Sequence, residues 1–433
     1  MTRENPSPSN RLLRVDEALA RVLERAQPRK PCRLEFTEAL QHVLAESVRA
    51  DIDSPPFDKS LVDGYAVSIS DVRTLPATLT VAAEVTAGNL PMVGAGEGRT
   101  IRVMTGAPIP AGTDAVVMIE ETELLPGPTP MVRIGSRQVV AGQNIMRRAF
   151  SYVKDQELLR AGKLLQPADI GLLAETGHAE PLVQPRVRVA ILSTGDELVP
   201  ASARIAAGQI RNSNGPMLQA QVTAAGGVAV PLGIARDEAA ALEQAILQGL
   251  QSDMLLISGG VSAGVLDLVP QTLQRLGVQQ VFHKVNLKPG KPLWFGLLLG
   301  TDANKLVFGL PGNPVSSLVC FELFVVPAMM AMMQRAWKRP CLQAELIDPF
   351  QQRGDRPTFF PGRVEPNGTR WQVKLLDWRG SADLRTLTEA NCLVHFPAGE
   401  QKYAGGSPVE VYLLGPLPGD CSLSVAGDEL TLA

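Results

Sequence analysis

The sequence predicts a multidomain protein of α/β and β class, with a mostly parallel sheet in its second half and β-rich units on both sides of that sheet. Three observations predict this. Apolar strand-like runs alternate with amphipathic helical patterns between residues 187 and 333. Short β-type runs punctuated by Gly and Pro fill 65–140 and 341–433. The length of 433 residues implies about three or four cores, at about 150 residues per domain.

In chain order, residues 1–10 are polar and Pro/Ser-rich and read as a loose leader. Residues 11–26 place Leu12, Val15, Leu19, Val22 and Ala26 at helical spacing, and a second helical pattern covers 37–48. Pro55, Pro56 and Gly64 then turn the chain toward strands at 78–85, 100–103, 115–120 and 131–134. Residues 155–178 return to helix, with Pro167 near the start of 168–175. From 187 onward the pattern is βαβ. Strands are expected at 187–192, 228–233, 254–257, 281–285 and 305–309, with helices at 214–226, 238–250, 266–276 and 315–333. Apolar strands of this kind belong to a sheet covered on both faces. Pro340 marks a boundary, beyond which 341–433 reads as a small barrel or sandwich.

Composition narrows the function. Apolar residues make up 45% and charged residues 20%, as in ordinary globular chains, and the net charge is −3. No broad attraction to nucleic acid or an anionic membrane follows, so any anion site must be local. Cys32, Cys320, Cys341, Cys392 and Cys421 are scattered with no CxxC pair, and read as isolated buried thiols. His42, His178, His283 and His395 form no metal-ligand spacing. The start of the chain has no apolar signal-peptide core, and the apolar stretch 320–333 contains Glu322 and Pro327 and is too short to span a bilayer. A cytoplasmic location is the resulting expectation.

The chemistry is expected in loops at strand ends, where open α/β sheets bind ligands. STGDEL (193–198), SGGVSAG (258–264) and LPGNP (310–314) are three such loops. Their glycines allow close backbone approach, and successive N–H groups form anion-binding nests. Ser193, Thr194, Gly195, Ser258, Gly259, Gly260, Ser262, Pro311, Asn313 and Pro314 are therefore candidate contacts for a phosphorylated ligand. Glu197 and Asp267 lie in or beside these loops, and Asp237 follows another strand. Carboxylates near phosphate repel it unless a cation such as Mg²⁺ bridges them, although aspartate at a loop–helix junction also serves as a helix cap. In KPGKP (288–292), Lys288 and Lys291 sit on a loop stiffened by prolines, suited to a dianion.

Read together, FDKSLVDGYAV (57–67), RVMTGAPIPAGTDAVVMIEE (102–121), RVRVAILSTGDELV (186–199), GQIRNSNGPML (208–218), ISGGVSAG (257–264), KPGKPLWFG (288–296), GLPGNPVSSLVCFELFV (309–325) and GSADLRTLTEANCLV (380–394) resemble the molybdopterin molybdenumtransferase family, which includes bacterial MoeA and the gephyrin E domain. The likeness spans nearly the whole chain, in the family's order. It implies a helical domain from 1–50 with 141–182, an elongated β domain at 51–140, a molybdopterin-binding-type α/β domain at 183–335 and a C-terminal β-barrel at 336–433. It implies insertion of molybdate into adenylylated molybdopterin with release of AMP, dependent on Mg²⁺. Lys288, Lys291, Arg356 and Ser381 would hold molybdate, and Glu197, Asp267 and Asp237 the metal. The resemblance also implies that Asp63, Thr105, Glu197 and Asp267 are catalytic, with Asp63 and Thr105 reaching the cleft of a partner subunit in a homodimer. The upstream adenylyltransferase and acceptor molybdoenzymes are the implied protein partners.

The chain departs from the family pattern at Ala149–Ser151, at Val265 where an acid is common, and at Pro361 where Arg is frequent. Three other readings share these motifs: a non-catalytic pterin-binding scaffold, a tungstate-inserting sister enzyme, and a pyrophosphatase sharing only the α/β domain.

Overall fold

The computed structural model describes residues 12–135, 137–260, 268–300 and 303–415. The leader, Cys421, and the segment holding Ser262, Val265 and Asp267 lie outside the described residues. The chain forms two compact units, one made of 1–32, 41–43 and 183–433, the other of 33–40 and 44–182.

The first unit is built on a six-stranded sheet. Its spatial order is Val228–Ala235, Arg188–Thr194, Met254–Ser258, Lys305–Leu310, Trp294–Leu298, Gln279–His283. The first four strands are parallel to one another. The last two pairings are antiparallel, because Trp294–Leu298, a strand not among those expected, runs back between its neighbours. Strand periodicity divides the core cleanly. Val189, Ile191, Met254, Leu256, Leu306 and Phe308 face one cluster, and Ala190, Leu192, Leu255, Ile257 and Val307 face the other. Helices Asn214–Ala224 and Pro314–Met332 cover the first face, and Ala239–Gly249 and Leu268–Arg275 the second. The N-terminal helix Val15–Leu23 buries Ala18 and Val22 in the first cluster.

The helix expected at 315–333 is present, shifted by one residue, and the apolar stretch read at 320–333 as too short to span a bilayer extends through it. Pro314–Met332 is a continuous helical run of 19 residues, long and apolar enough on composition to cross a membrane, yet 83% of it is buried inside the fold. It is a core helix. Pro327 lacks an N–H for the Leu323 carbonyl one turn back, and the helix passes through a π-turn at Phe321–Val325. The Arg339 Nη2 donates to that carbonyl at 3.0 Å.

A closed barrel of Cys341–Leu346, Arg370–Leu375, Thr358–Asn367, Cys392–Phe396 and Pro408–Leu413 completes this unit. Its interior is filled by Val364, Val373, Val394, Phe396 and Val411. Of the described cysteines, Cys320 and Cys392 are buried as expected, but Cys341 is exposed and Cys32 half-buried.

The second unit centres on another six-stranded sheet, in the order Ala115–Met118, Gly64–Val67, Arg99–Val103, Ala77–Val85, Met131–Ile134, Thr122–Leu125. The helix expected at 37–48 is absent. Val43–Leu44 and Val48–Arg49 are short strands instead, since Leu44 exchanges backbone hydrogen bonds with Gly162 and Lys163, and Val48–Arg49 pairs with Glu157–Leu159. Pairing with a distant segment overrides the local periodicity. The same pairing makes Glu157–Leu159 a strand and confines the helix expected over 155–178 to Pro167–Glu175.

Candidate functional site

The carboxyl ends of the parallel strands lie on one edge of the sheet. Thr194 is level with Ala235, and Ser193 is level with Ser258, which is level with Leu310. Because Trp294–Leu298 is antiparallel, Gln279–His283 points the same way as the parallel strands, and the twin-lysine loop that follows it emerges at this same edge. The STGDEL, SGG, KPGKP and PGN segments thereby line one cleft of about 690 Å³, joined by Arg356, Trp378 and Ser381 from the barrel.

Glycine is required at the closest approaches. Gly259 has φ +94°, and a Cβ there would lie 2.5 Å from the Thr194 carbonyl oxygen. Gly290 has φ +119°, and its Cβ would meet the Cys320 sulfur at 2.7 Å. The Cys320 thiol, its pKa raised by burial, instead donates to the Gly290 carbonyl at 3.5 Å and packs the lysine loop onto the core helix. The barrel clamps the loop from its other side. Lys288 N donates to the Pro357 carbonyl at 2.9 Å, and Phe359 N donates to the Lys288 carbonyl at 2.8 Å. The Arg356 Nη1 reaches the Leu287 carbonyl at 3.3 Å.

The charges are arranged for anions. Among the described residues neither Lys288 nor Lys291 has an acidic partner within ion-pairing distance, although both line the cleft. Glu197 and Asp237 line the same cleft, and Asp237 N donates to Asp196 Oδ1 at 3.2 Å. The Thr194 hydroxyl is buried without a hydrogen-bond partner among the described residues, an unmet donor and acceptor in the cleft wall. No group of three or more potential metal ligands occurs among the described residues.

Most of the expected contacts converge here: Thr194, Gly195, Glu197, Asp237, Gly259, Gly260, Lys288, Lys291, Pro311, Asn313, Arg356 and Ser381 all line the cleft. Ser193, Ser258 and Pro314 do not. Ser193 and Ser258 are buried strand residues behind the wall, where Ser193 Oγ donates to Asn212 Oδ1 at 3.2 Å and Ser258 Oγ accepts from Asn214 Nδ2 at 2.8 Å. Pro314 opens the core helix. Asp267 and Ser262 lie outside the described residues.

Two features escaped the sequence reading. Asn214 bonds both Ser258 Oγ and, at 2.7 Å, the Gly312 carbonyl, tying two strand-end loops together. The motif GQIRNSNGPML was visible, but not which loops it would meet. Trp378 carries no local signal of its own.

Asp63 and Thr105 belong to the second unit, where Gly64 is paired with Val103 and the flanking residues meet. Asp63 Oδ1 accepts from the Thr105 amide at 2.7 Å and from its hydroxyl at 2.9 Å. The Thr105 amide, then its hydroxyl, hold the Asp63 carboxyl below the usual aspartate range. A depressed carboxylate keeps its charge, and this clasp, above that range and loses both only as pH falls through the lowered value. In an NMR titration Asp63 should titrate below about 3.9, and Thr105→Val should move it upward. A wild-type value at or above the ordinary one would contradict the clasp.

Comparison with known proteins agrees over most of the chain. The profile of the MoeA N-terminal region (domain I and II) matches residues 13–177, that of a probable molybdopterin binding domain 190–331, and that of the MoeA C-terminal region (domain IV) 343–414. A molybdopterin molybdenumtransferase of Synechococcus elongatus is 35% identical over 88% of this chain and 93% of its own length. One from Haemophilus influenzae is 36% identical over 92% of this chain and 98% of its own. The crystal structure of the molybdopterin biosynthesis MoeA protein from Pyrococcus horikoshii superposes with a TM-score of 0.79 at 29% identity, covering 94% of this chain and 100% of that one.

Proposed function

From the premise that this chain belongs to the molybdopterin molybdenumtransferase family, and is a transferase of molybdenum cofactor biosynthesis, we propose that its cleft takes adenylylated molybdopterin and molybdate, inserts the metal and releases AMP. The observation carrying this reading is the convergence of two lysines, neither with an acidic partner among the described residues, with the strand-end glycine loops in a single cleft.

Each group has work that follows from its chemistry. Lys288, Lys291 and Arg356 supply positive charge, and Ser381 a hydroxyl, for a tetrahedral dianion. The turns at Gly195 and Gly259–Gly260 let the ligand phosphates approach the backbone, with the Thr194 hydroxyl among their partners. Glu197 and Asp237, with Asp267, are the residues that would hold Mg²⁺. One or two carboxylates suffice for that ion when substrate phosphates complete its shell, so the donor set fits without a larger acidic cluster. Bound there, the ion would offset negative charge on the phosphoanhydride. Asn313, whose Nδ2 donates to Ser381 Oγ at 2.9 Å, fixes the hydroxyl that faces the oxyanion.

The proposal includes a cytoplasmic homodimer that brings Asp63 and Thr105 to a partner subunit's cleft. The burial of the apolar helix Pro314–Met332 agrees with a soluble protein of this kind. The purified protein, given adenylylated molybdopterin, molybdate and Mg²⁺, should release AMP in step with pterin-bound molybdenum. Stoichiometric pterin binding with no AMP would replace the enzyme reading with that of a binding scaffold.

A further inference from the structure

One residue lining the cleft is aromatic. Trp378, from the barrel segment that follows Arg370–Leu375, lines it beside Gly380 and Ser381. Its indole is held on several sides. The Nε1–H donates to the Gly380 carbonyl, which also accepts from Asp383 N at 3.0 Å. The ring packs edge-on against Phe360 at 5.0 Å and 85°. The turn beneath it needs a glycine, since Gly380 has φ +117°. The far end of the turn is tied to the α/β part of the same unit, where Val315 N donates to the Ser381 carbonyl at 3.0 Å. Trp378 is half-buried: it packs against the core cluster of the α/β part and still lines the cleft.

An indole whose only polar atom is already used, held in place in the wall of a polar cleft, is suited to serve as a stacking plate. We propose that Trp378 is a positioning residue that stacks against the pterin ring of the substrate. This rests on the reading above. The pterin is favoured over the adenine because Trp378 is within three residues of Ser381, assigned there to the oxyanion, and the metal must arrive next to the pterin-borne sulfurs. Rigidity lowers the ordering cost of the contact, so the ring would fix which way the pterin end lies before metal insertion.

The test uses a free pterin, whose own fluorescence is quenched on stacking, titrated with full-length protein and no nucleotide. Wild type should quench it. Trp378→Phe should bind within about threefold of wild type, and Trp378→Leu, which keeps apolar bulk against Phe360 but has no π face, should bind roughly tenfold or more weakly. Molybdate binding, measured separately by equilibrium dialysis, should be unchanged in both variants. Equal pterin affinity for the Leu and Phe variants would reduce Trp378 to a packing residue and overturn the proposal. So would failure of the wild type to bind free pterin, or transfer of the effect to AMP binding. Absence of AMP release in the turnover assay, with pterin binding and its Trp378 dependence intact, would count against the enzymatic reading alone.

Discussion

Lys291→Ala should raise the molybdate concentration needed for half-maximal AMP release by roughly tenfold or more, the loss expected when one charge-assisted contact of about 1.5–3 kcal/mol is removed. The melting temperature should hold within about 1 °C, because Lys291 is exposed and has no acidic partner among the described residues whose charge its removal would strand. The affinity for the pterin ligand should change far less than that for molybdate. Lys291→Arg should recover only part of the loss, since a planar fork on a longer reach does not reproduce a point charge on this stiff loop. A molybdate requirement unchanged in Lys291→Ala would remove this residue from the oxyanion site.

Gly259→Ala should be the most damaging single-methyl change in the cleft. An L-residue at φ +94° is strained, and the added carbon would sit 2.5 Å from the Thr194 carbonyl, which belongs to a central strand and cannot move aside. The two effects together cost at least about 2 kcal/mol. They should also push the two strand-end loops apart where phosphate must approach the backbone, lowering turnover by at least about tenfold. Gly312→Ala is the matched control. Its added carbon would find nothing nearer than the Gly259 Cα at 3.8 Å, and its φ is not in the left-handed region. Chemical denaturation should therefore show Gly312→Ala close to wild type and Gly259→Ala clearly destabilised. Equal stability of the two would mean that the turn at Gly259 is not held as described.

The sequence by itself determined much of the α/β unit. Its strands are unbroken apolar runs, as at Val189–Leu192, and its turns are spelled by residues with few alternative conformations, as at Gly259–Gly260 and Pro289–Gly290. These signals are local, so they survive without knowledge of neighbours. The sequence also supplied the family likeness and, through it, the candidacy of Arg356 and Ser381, for which no local pattern speaks.

Only the tertiary structure decided which residues face the cleft and which stand behind it. Ser193 and Thr194 are adjacent in the chain, yet successive strand residues point to opposite sides, and Thr194 lines the cleft while Ser193 braces Asn212. The structure alone also decided that 43–44 and 48–49 are strands, because their hydrogen-bond partners lie over a hundred residues away. Most of all, it decided where the twin lysines act. A single antiparallel strand, Trp294–Leu298, orients its neighbour so that their loop emerges on the ligand-binding edge, and that orientation is a property of sheet pairing, which no segment encodes alone.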